Sequence, residues 1–318
     1  MKVTVVGAGG NVGSTVALSV AQRDFAKEVI AVDLERKEGE KTFYPAKGRA
    51  LDQWEASPIH LFDTRIKGTT DYADTANSDV CVITAGVPRR PGMSRDDLLE
   101  INGNIVRSVT EQLVKYSPET IIIVVSNPLD VMVQVAKDAS GLPHSKVMGM
   151  AGILDTARFR SFIAEELDVS PKDIQALLMG GHGDTMVPLP RFTTLAGMPI
   201  THFISEERLN EIVDRAKKGG GELVGLMGTS AWYAPGAAAA QMVEAILLDQ
   251  NRIFPVCAYI DGQYGIDDLY IGVPVKLGKG GIKEVIEVDL TDDEQALLNA
   301  SAEAVRGTLN DFKNIKKK

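Results

Sequence analysis

Short runs of apolar, mostly β-branched residues recur through the first half of the chain, and amphipathic helical patterns separate them. Four runs are nearly continuous in apolar residues and have the length of strands: Val3–Val6, Val29–Val32, Val80–Thr84 and Ile121–Val125. The helical patterns lie at Val12–Arg23, Gly48–Ala56, Asp96–Lys115 and Leu129–Ala139. Strands that helices cover on both faces are uniformly apolar, so this alternation predicts a doubly wound parallel α/β sheet.

The alternation changes after about residue 150. The pattern then predicts three helices, followed along the chain by a hairpin and a last helix. In chain order these are helix Asp155–Leu167, strand Ile174–Met179, helix Ser205–Leu226 interrupted at Gly219-Gly220-Gly221, a helix from Pro235 to Leu248, hairpin strands Tyr270–Lys276 and Glu284–Val288, and helix Asp292–Phe312. We therefore expect two domains, at 1–150 and 151–318, and the second has an α+β pattern.

The composition is that of an ordinary globular protein, with 44% hydrophobic and 24% charged residues among 318. The net charge of −9 argues against general nucleic-acid binding, which needs a basic surface. Cys81 and Cys257 are too few for a disulfide framework and suit a reducing compartment. The chain starts with a strand-like run rather than a leader, and no apolar stretch approaches membrane-spanning length. We expect a cytoplasmic protein without nucleic-acid or membrane partners.

The first strand leads into a glycine-rich turn and a helix. Gly7, Gly9 and Gly13 allow a tight turn and close approach of a pyrophosphate to the helix N-terminus, where Gly10, Asn11 and Val12 also lie. Asp33 ends the next strand, twenty residues after Gly13, where a carboxylate accepts ribose hydroxyls and repels a 2′-phosphate. This pattern predicts a Rossmann fold that binds NAD. The alternative is a glycine turn without a nucleotide, and the G-x-G-x-x-x-G spacing is one residue longer than usual.

The segment Gly180-Gly181-His182-Gly183-Asp184 follows an apolar run and encloses one of four histidines in glycines. A strand that ends in such a turn exposes an imidazole, which transfers protons near neutral pH. The alternative is a turn whose histidine only caps a backbone group.

Asp155 and Arg158 lie three residues apart on a predicted helix, so they share a face. Arg158 can bind a carboxylate through two nitrogens, and Asp155 can accept the far ring N–H of His182. The alternative interpretation of Asp155 and Arg158 is a salt bridge on the surface.

Four motifs in this order resemble the lactate/malate dehydrogenase superfamily over essentially the full chain, and most closely the malate dehydrogenases built on a lactate-dehydrogenase-like scaffold. They are Thr84-Ala85-Gly86-Val87-Pro88-Arg89-Arg90-Pro91-Gly92-Met93-Ser94-Arg95, Val125-Ser126-Asn127-Pro128, Gly152-Ile153-Leu154-Asp155-Thr156-Ala157-Arg158 and Gly181-His182-Gly183-Asp184. The resemblance implies a Rossmann domain followed by an α+β substrate and catalytic domain.

The resemblance also implies roles for individual residues. His182 and Asp155 would be catalytic, Arg158 would bind the substrate carboxylate, and Arg95 would polarise the substrate carbonyl. Asn127 would hydrogen-bond the substrate oxygen or the cofactor, although a turn residue before proline is the simpler interpretation of Asn127 alone. Cofactor-binding positions implied in the same way are Thr84, Ala85, Gly86, Asn102 and Val125. No metal is implied.

Arg89 decides the expected substrate. An arginine at this loop position marks the malate enzymes, where it pairs with the second carboxylate, whereas lactate enzymes typically carry glutamine. We therefore expect NAD-dependent oxidation of (S)-malate to oxaloacetate, with L-lactate dehydrogenase as the alternative. Thr229-Ser230-Ala231 would line the same pocket. An NAD-dependent glycosidase is a remote alternative, because that class pairs a cysteine and a histidine at a metal, Cys81 is in a predicted buried strand and Cys257 is remote.

Two further expectations concern the surface. The family is generally dimeric or tetrameric, so the resemblance implies a homotetramer, or else a homodimer, with contacts near Ala50–Glu55 and Asp155–Glu165. The segment Leu34–Lys47 looks several residues longer than in typical relatives and is rich in charge. We expect it to be a solvated loop near the adenosine edge of the cofactor site.

Overall fold

The structure is a computed structural model that describes residues 1–88 and 94–315. Its helices are α1 (Asn11–Gln22), α2 (Pro45–Glu55), α3 (Ser57–His60), α4 (Arg95–Tyr116), α5 (Leu129–Ser140), α6 (Gly152–Leu167), α7 (Glu206–Met227), α8 (Tyr233–Leu247) and α9 (Asp292–Ile315). Its strands are β1 (Lys2–Val6), β2 (Glu28–Val32), β3 (Arg36–Glu38), β4 (Lys41–Phe43), β5 (Arg65–Thr69), β6 (Val80–Ile83), β7 (Ile121–Val124), β8 (Val147–Gly149), β9 (Ile174–Gln175), β10 (Leu178–Met179), β11 (Val187–Pro188), β12 (Thr194–Leu195), β13 (Met198–Pro199), β14 (Arg252–Ile260), β15 (Leu269–Gly278) and β16 (Gly281–Val285).

Within the described residues, one nine-stranded sheet runs in the order β16-β15-β14-β8-β7-β6-β1-β2-β5. The strands from β8 to β5 are parallel, and in chain order they follow the 3-2-1-4-5-6 arrangement of a Rossmann fold. The predicted fold class is therefore confirmed. The strand order reverses between β1 and β6, and such a reversal leaves a crevice at the carboxyl ends of the strands where ligands bind.

The three strands from the second half of the chain extend this sheet in the antiparallel sense. β14 pairs with β8 at Cys257 and Gly149, and it pairs with β15 over its whole length. The predicted hairpin is present as β15 and β16. The long strand β14 was not predicted, and neither were β5 and β8. The sheet therefore joins residues before and after position 150 into one continuous layer.

Apolar side chains fill both faces of the sheet. One core lies under α1 and α8, the other lies under α4 and α5, and α9 contributes side chains to both. A third, smaller core lies between α6 and α7 and includes Phe159 and Ile212. The outer layer of helices thus positions α6, which carries Asp155 and Arg158, against the end of the sheet that β14 and β15 form.

Three local predictions were wrong. Helix α7 continues through Gly219-Gly220-Gly221 without the predicted interruption. The predicted strand at Ile174–Met179 is two separate two-residue strands that pair with different partners. The segment after Asp33 is exposed as expected, but it forms an antiparallel ribbon of β3 and β4 rather than a loop.

No helix in the two described ranges combines the length and apolar composition that crossing a lipid bilayer requires.

Candidate active site

The glycine turn after β1 is packed against the end of β6. Gly7 has a φ of +87°, which favours glycine, and its N–H donates to the carbonyl of Val32 at 2.9 Å. A Cβ at Gly13 would lie 2.5 Å from the Gly7 oxygen and 2.6 Å from Thr84 Oγ1. Both positions therefore require glycine, and their contacts bring the start of α1 within reach of the sheet's crevice.

The start of α1 is open to an anion. Gly10 is the N-cap residue, no side chain caps the helix, and no acidic residue lies in its first turn. Asn11 and Val12 are the first residues of the helix, so their N–H groups have no intrahelical acceptor. The additional residue in the glycine pattern is accommodated at this cap, where Gly10 N–H donates to Gly7 O at 3.0 Å. These donors fit the pyrophosphate of a dinucleotide.

Asp33 faces the glycine turn from the end of β2. Its Oδ2 accepts the N–H of Gly9 at 2.8 Å, and its Oδ1 accepts the N–H of Leu34 at 2.8 Å. A Cβ at Gly9 would lie 2.8 Å from Asp33 Oδ2, so glycine leaves the carboxylate accessible. Each carboxylate oxygen has a second lone pair, and Asp33 can therefore also accept ribose hydroxyls. The residues present fit NAD.

The segment after β6 is held by side chains that do not face an open site. Ser126 Oγ donates to the Ala85 carbonyl at 2.6 Å. Asn102 accepts the Val87 N–H at 2.8 Å and donates to the Asn127 carbonyl at 2.7 Å, and a Cβ at Gly86 would lie 3.2 Å from its Oδ1. Asn102 thus connects the backbone segments on both sides of the crevice. Val125 and Thr84 continue β7 and β6 through backbone bonds to Ile83 and Val6.

A cavity of about 640 Å³ lies beyond the end of β7, between α5 and α9, and its wall includes Arg95, Asn127 and His182. Asn127 precedes Pro128 through a cis peptide bond. Arg95 begins α4, and its Nη2 donates to the hydroxyl of Thr308 on α9. Three predicted site residues from separate parts of the chain therefore share one cavity.

The glycine-flanked turn that carries His182 is attached to the sheet and to α9. Gly180 exchanges two backbone hydrogen bonds with Gly272 of β15, at 2.8 and 3.1 Å. The N–H of Gly181 donates to Ser301 Oγ at 2.8 Å. The N–H of His182 donates to Asp130 Oδ2 at 3.2 Å. The imidazole is therefore carried on a fixed backbone.

His182, Asp155 and Arg158 form one charged group. The Nδ1 of His182 lies 2.9 Å from Asp155 Oδ2, and Arg158 Nη1 donates to Asp155 Oδ1 at 3.3 Å. Asp155 is only 2% exposed, so its carboxylate depends on these partners. Neither Asp155 nor Arg158 lines the cavity itself, and His182 is the member of the group that does.

The surroundings of His182 favour its protonated form. Burial by itself lowers the pKa of the imidazole, but the charge of Asp155 and its hydrogen bond raise it more, and Asp130 adds to the rise. The net effect is a raised pKa. A histidine that holds its proton near neutral pH can both give and take a proton at the cavity wall.

Asp130 was not identified from the sequence. It is half-buried and lines the same cavity as His182, and burial raises the pKa of its carboxyl, which the thiol of Cys257 contacts. In the sequence it is an acidic residue in the first turn of α5, which is a common position for an acid that only complements the helix dipole. Cys257 is therefore close to the site, contrary to the expectation that it is remote. Burial raises the pKa of the Cys257 thiol well above its usual range.

Two further expectations have different outcomes. Arg89 lies outside the described residues. Thr229 and Ser230 are exposed between α7 and α8, and they do not line the cavity that His182 shares. In the described part of the chain, no group of three histidine, cysteine or acidic side chains is arranged to hold a metal ion.

Comparison with known proteins identifies the relatives of this chain. Residues 1–149 match the NAD binding domain of lactate/malate dehydrogenases, and residues 153–316 match their alpha/beta C-terminal domain. A malate dehydrogenase from Salinibacter ruber is 64% identical over 99% of this chain and 98% of its own length.

Solved structures agree with this assignment. A structure of the malate dehydrogenase from Salinibacter ruber has a TM-score of 0.94, is 62% identical, and covers 100% of this chain and 99% of its own. A lactate dehydrogenase from Cryptosporidium parvum, complexed with lactic acid and nicotinamide adenine dinucleotide, has a TM-score of 0.91 at 38% identity, with 98% of each chain covered. The chain belongs to the lactate/malate dehydrogenase family.

Proposed function

We propose that this NAD-dependent dehydrogenase interconverts (S)-malate and oxaloacetate, with His182 as the residue that accepts and returns the proton. The roles of these side chains are assigned from the hydrogen bonds of the buried Asp155. Its two oxygens contact His182 at 2.9 Å and Arg158 at 3.3 Å. One carboxylate thus orients both a proton-transfer group and a carboxylate-binding group.

In malate oxidation, His182 Nε2 removes the proton from the C2 hydroxyl. The positive charge that develops on the imidazole lies beside Asp155, which also holds the Nδ1 proton and therefore the tautomer. The chemistry that bound NAD supplies is acceptance of a hydride from C2. In oxaloacetate reduction, His182 returns its proton to the carbonyl oxygen.

The arginines would orient the dicarboxylate. Arg158 binds the C1 carboxylate, and Arg89 binds the distal carboxylate, in keeping with the resemblance. Arg95, on the wall shared with His182, polarises the carbonyl once it leaves Thr308. Asn127 lies on the same wall and hydrogen-bonds the substrate oxygen. Two anchored carboxylates align C2, so the protein contributes alignment and electrostatics.

A direct assay tests this function. We expect NADH oxidation to be much faster with oxaloacetate than with pyruvate at equal concentrations. His182→Asn is expected to bind NADH as the wild type does, measured by fluorescence titration, and to lose almost all hydride transfer. Preferred use of pyruvate would indicate the alternative, lactate dehydrogenase. A fully active His182→Asn variant would show that His182 is not the proton-transfer residue.

In this proposal the two domains have different roles. Residues 1–150 bind NAD through the glycine turn and Asp33, and residues 151–318 carry Asp155, Arg158 and His182. Exposed apolar side chains at and after α2, at Leu51, Ile59 and Leu61, support subunit contacts there. We propose a cytoplasmic homotetramer, with a homodimer as the alternative. Light scattering that gives the mass of a monomer would contradict it.

A further inference from the structure

Helix α7 carries three consecutive glycines in its interior, where glycine is among the poorest helix formers. The three positions differ in their surroundings. Gly219 is buried, whereas Gly220 is half-buried and Gly221 is exposed. A Cβ at Gly220 or Gly221 would meet nothing within 4 Å. Only Gly219 therefore has a packing reason to lack a side chain.

The neighbour of Gly219 is Arg158. A Cβ at Gly219 would lie 3.2 Å from Arg158 Cδ and 3.6 Å from Arg158 Nε. Carbon atoms in contact ordinarily lie about 3.5–4.0 Å apart, so an alanine would press on the arginine side chain. The other side of the guanidinium is fixed by Asp155, to which Arg158 Nη1 donates at 3.3 Å. The Arg158 side chain thus lies between a carboxylate on α6 and a bare stretch of α7.

We propose that Gly219 is a positioning residue for Arg158: the absent side chain on α7 determines where the carboxylate-binding guanidinium can lie. This inference rests on the proposed function, in which Arg158 binds the C1 carboxylate of the substrate. A displacement at Cδ is carried along the planar guanidinium to its Nη atoms. Because two-point binding of a carboxylate depends on the orientation of that plane, a small shift weakens substrate binding.

The test compares Gly219→Ala with Gly221→Ala. Both changes replace a glycine in the same helix and remove the same backbone freedom, but only the first adds an atom beside Arg158. At saturating NADH, we expect Gly219→Ala to raise the KM for oxaloacetate about 5- to 50-fold and to change kcat less than about threefold. Gly221→Ala is expected to keep the wild-type KM and kcat and to raise Tm by about 1–3 °C.

A background without the guanidinium shows whether the effect acts through Arg158. In an Arg158→Ala chain, adding Gly219→Ala is expected to change the KM less than about twofold, since the two residues are directly coupled. This comparison decides the matter even if Gly219→Ala lowers Tm. The inference is overturned if Gly219→Ala matches Gly221→Ala, or if its effect on KM persists without Arg158. A wild-type enzyme that does not turn over oxaloacetate would instead refute the proposed function.

Discussion

Replacing Asp155 with asparagine removes the charge beside His182 and keeps the size of the side chain. The ion pair joins Nδ1 and Oδ2 across 2.9 Å, for which Coulomb's law at an effective dielectric constant of about 20 gives at most about 6 kcal/mol. Desolvation of the imidazole offsets part of this energy. The net contribution of a charged hydrogen bond, about 1.5–3 kcal/mol, therefore describes better how much Asp155 stabilises the protonated imidazole. It corresponds to about a 10- to 150-fold loss of turnover.

The direction of the pH effect follows from the raised pKa of His182. Burial lowers this pKa, and Asp155 more than compensates, so Asp155→Asn lowers the pKa of His182 relative to the wild type. Malate oxidation needs the neutral imidazole, and its acid limb is expected to move to lower pH. Oxaloacetate reduction needs the protonated imidazole, so its activity is expected to be lost at lower pH than in the wild type. Both limbs thus move in the same direction.

The assay is kcat/KM for both directions between about pH 5 and 10, with NADH binding measured in parallel. Glu165→Gln is the matched control, because it also replaces a carboxylate with an amide on α6 but at a side chain that is 68% exposed. We expect this control to keep the wild-type midpoints. An Asp155→Asn enzyme with wild-type midpoints and more than half of the wild-type turnover would refute the electrostatic role of Asp155.

Two other substitutions test the substrate and cofactor sites. Arg89→Gln should reduce oxaloacetate kcat/KM about 10- to 150-fold and raise relative use of pyruvate, which steady-state kinetics with both substrates measures; unchanged selectivity would show that Arg89 is misassigned. Gly13→Ala places a Cβ 2.5 Å from the Gly7 oxygen and should cost about 1–3 kcal/mol of stability and weaken NADH binding. Thermal unfolding and fluorescence titration would measure both effects. Gly48→Ala, whose Cβ meets nothing within 4 Å, is the control.

The parallel part of the sheet was partly predictable because its central strands are continuous apolar runs. The edge strand β5 was missed because Arg65–Thr69 buries only some of its residues and includes charged ones. β14 was missed for a different reason. Pro255 lies inside it, and proline normally argues against a central strand. In the structure Pro255 is opposite Pro274 of β15, so both residues that lack an N–H are placed at one position of the ladder.

The contacts among His182, Asp155 and Arg158 were predictable from residue types and spacing, whereas the contacts that support them were not. Asp155 and Arg158 share a helix face because they are three residues apart, and this relation is visible in the sequence. Ser301 and Thr308, in contrast, contact Gly181 and Arg95 from a helix more than a hundred residues away. A hydroxyl on an amphipathic helix has no local pattern that identifies its partner, so only the folded structure shows these contacts.

The turn that carries His182 connects β15 to three helices, α5, α6 and α9. Gly180 pairs with Gly272 of β15, Gly181 is held by Ser301 of α9, and the His182 backbone is held by Asp130 of α5. Its side chain is held by Asp155 of α6. Four elements thus fix the position of the imidazole, and each hydrogen bond restricts a different part of the turn. The two glycines before the histidine are required for this arrangement, since a Cβ at Gly180 would lie 2.8 Å from Ser301 Oγ, and one at Gly181 would lie 2.9 Å from Thr185 Oγ1. Gly183, after the histidine, has open space around it, and its φ of +108° is what favours glycine there. Close packing of the supporting elements therefore accounts for the glycines before the histidine, and backbone conformation accounts for the one after it.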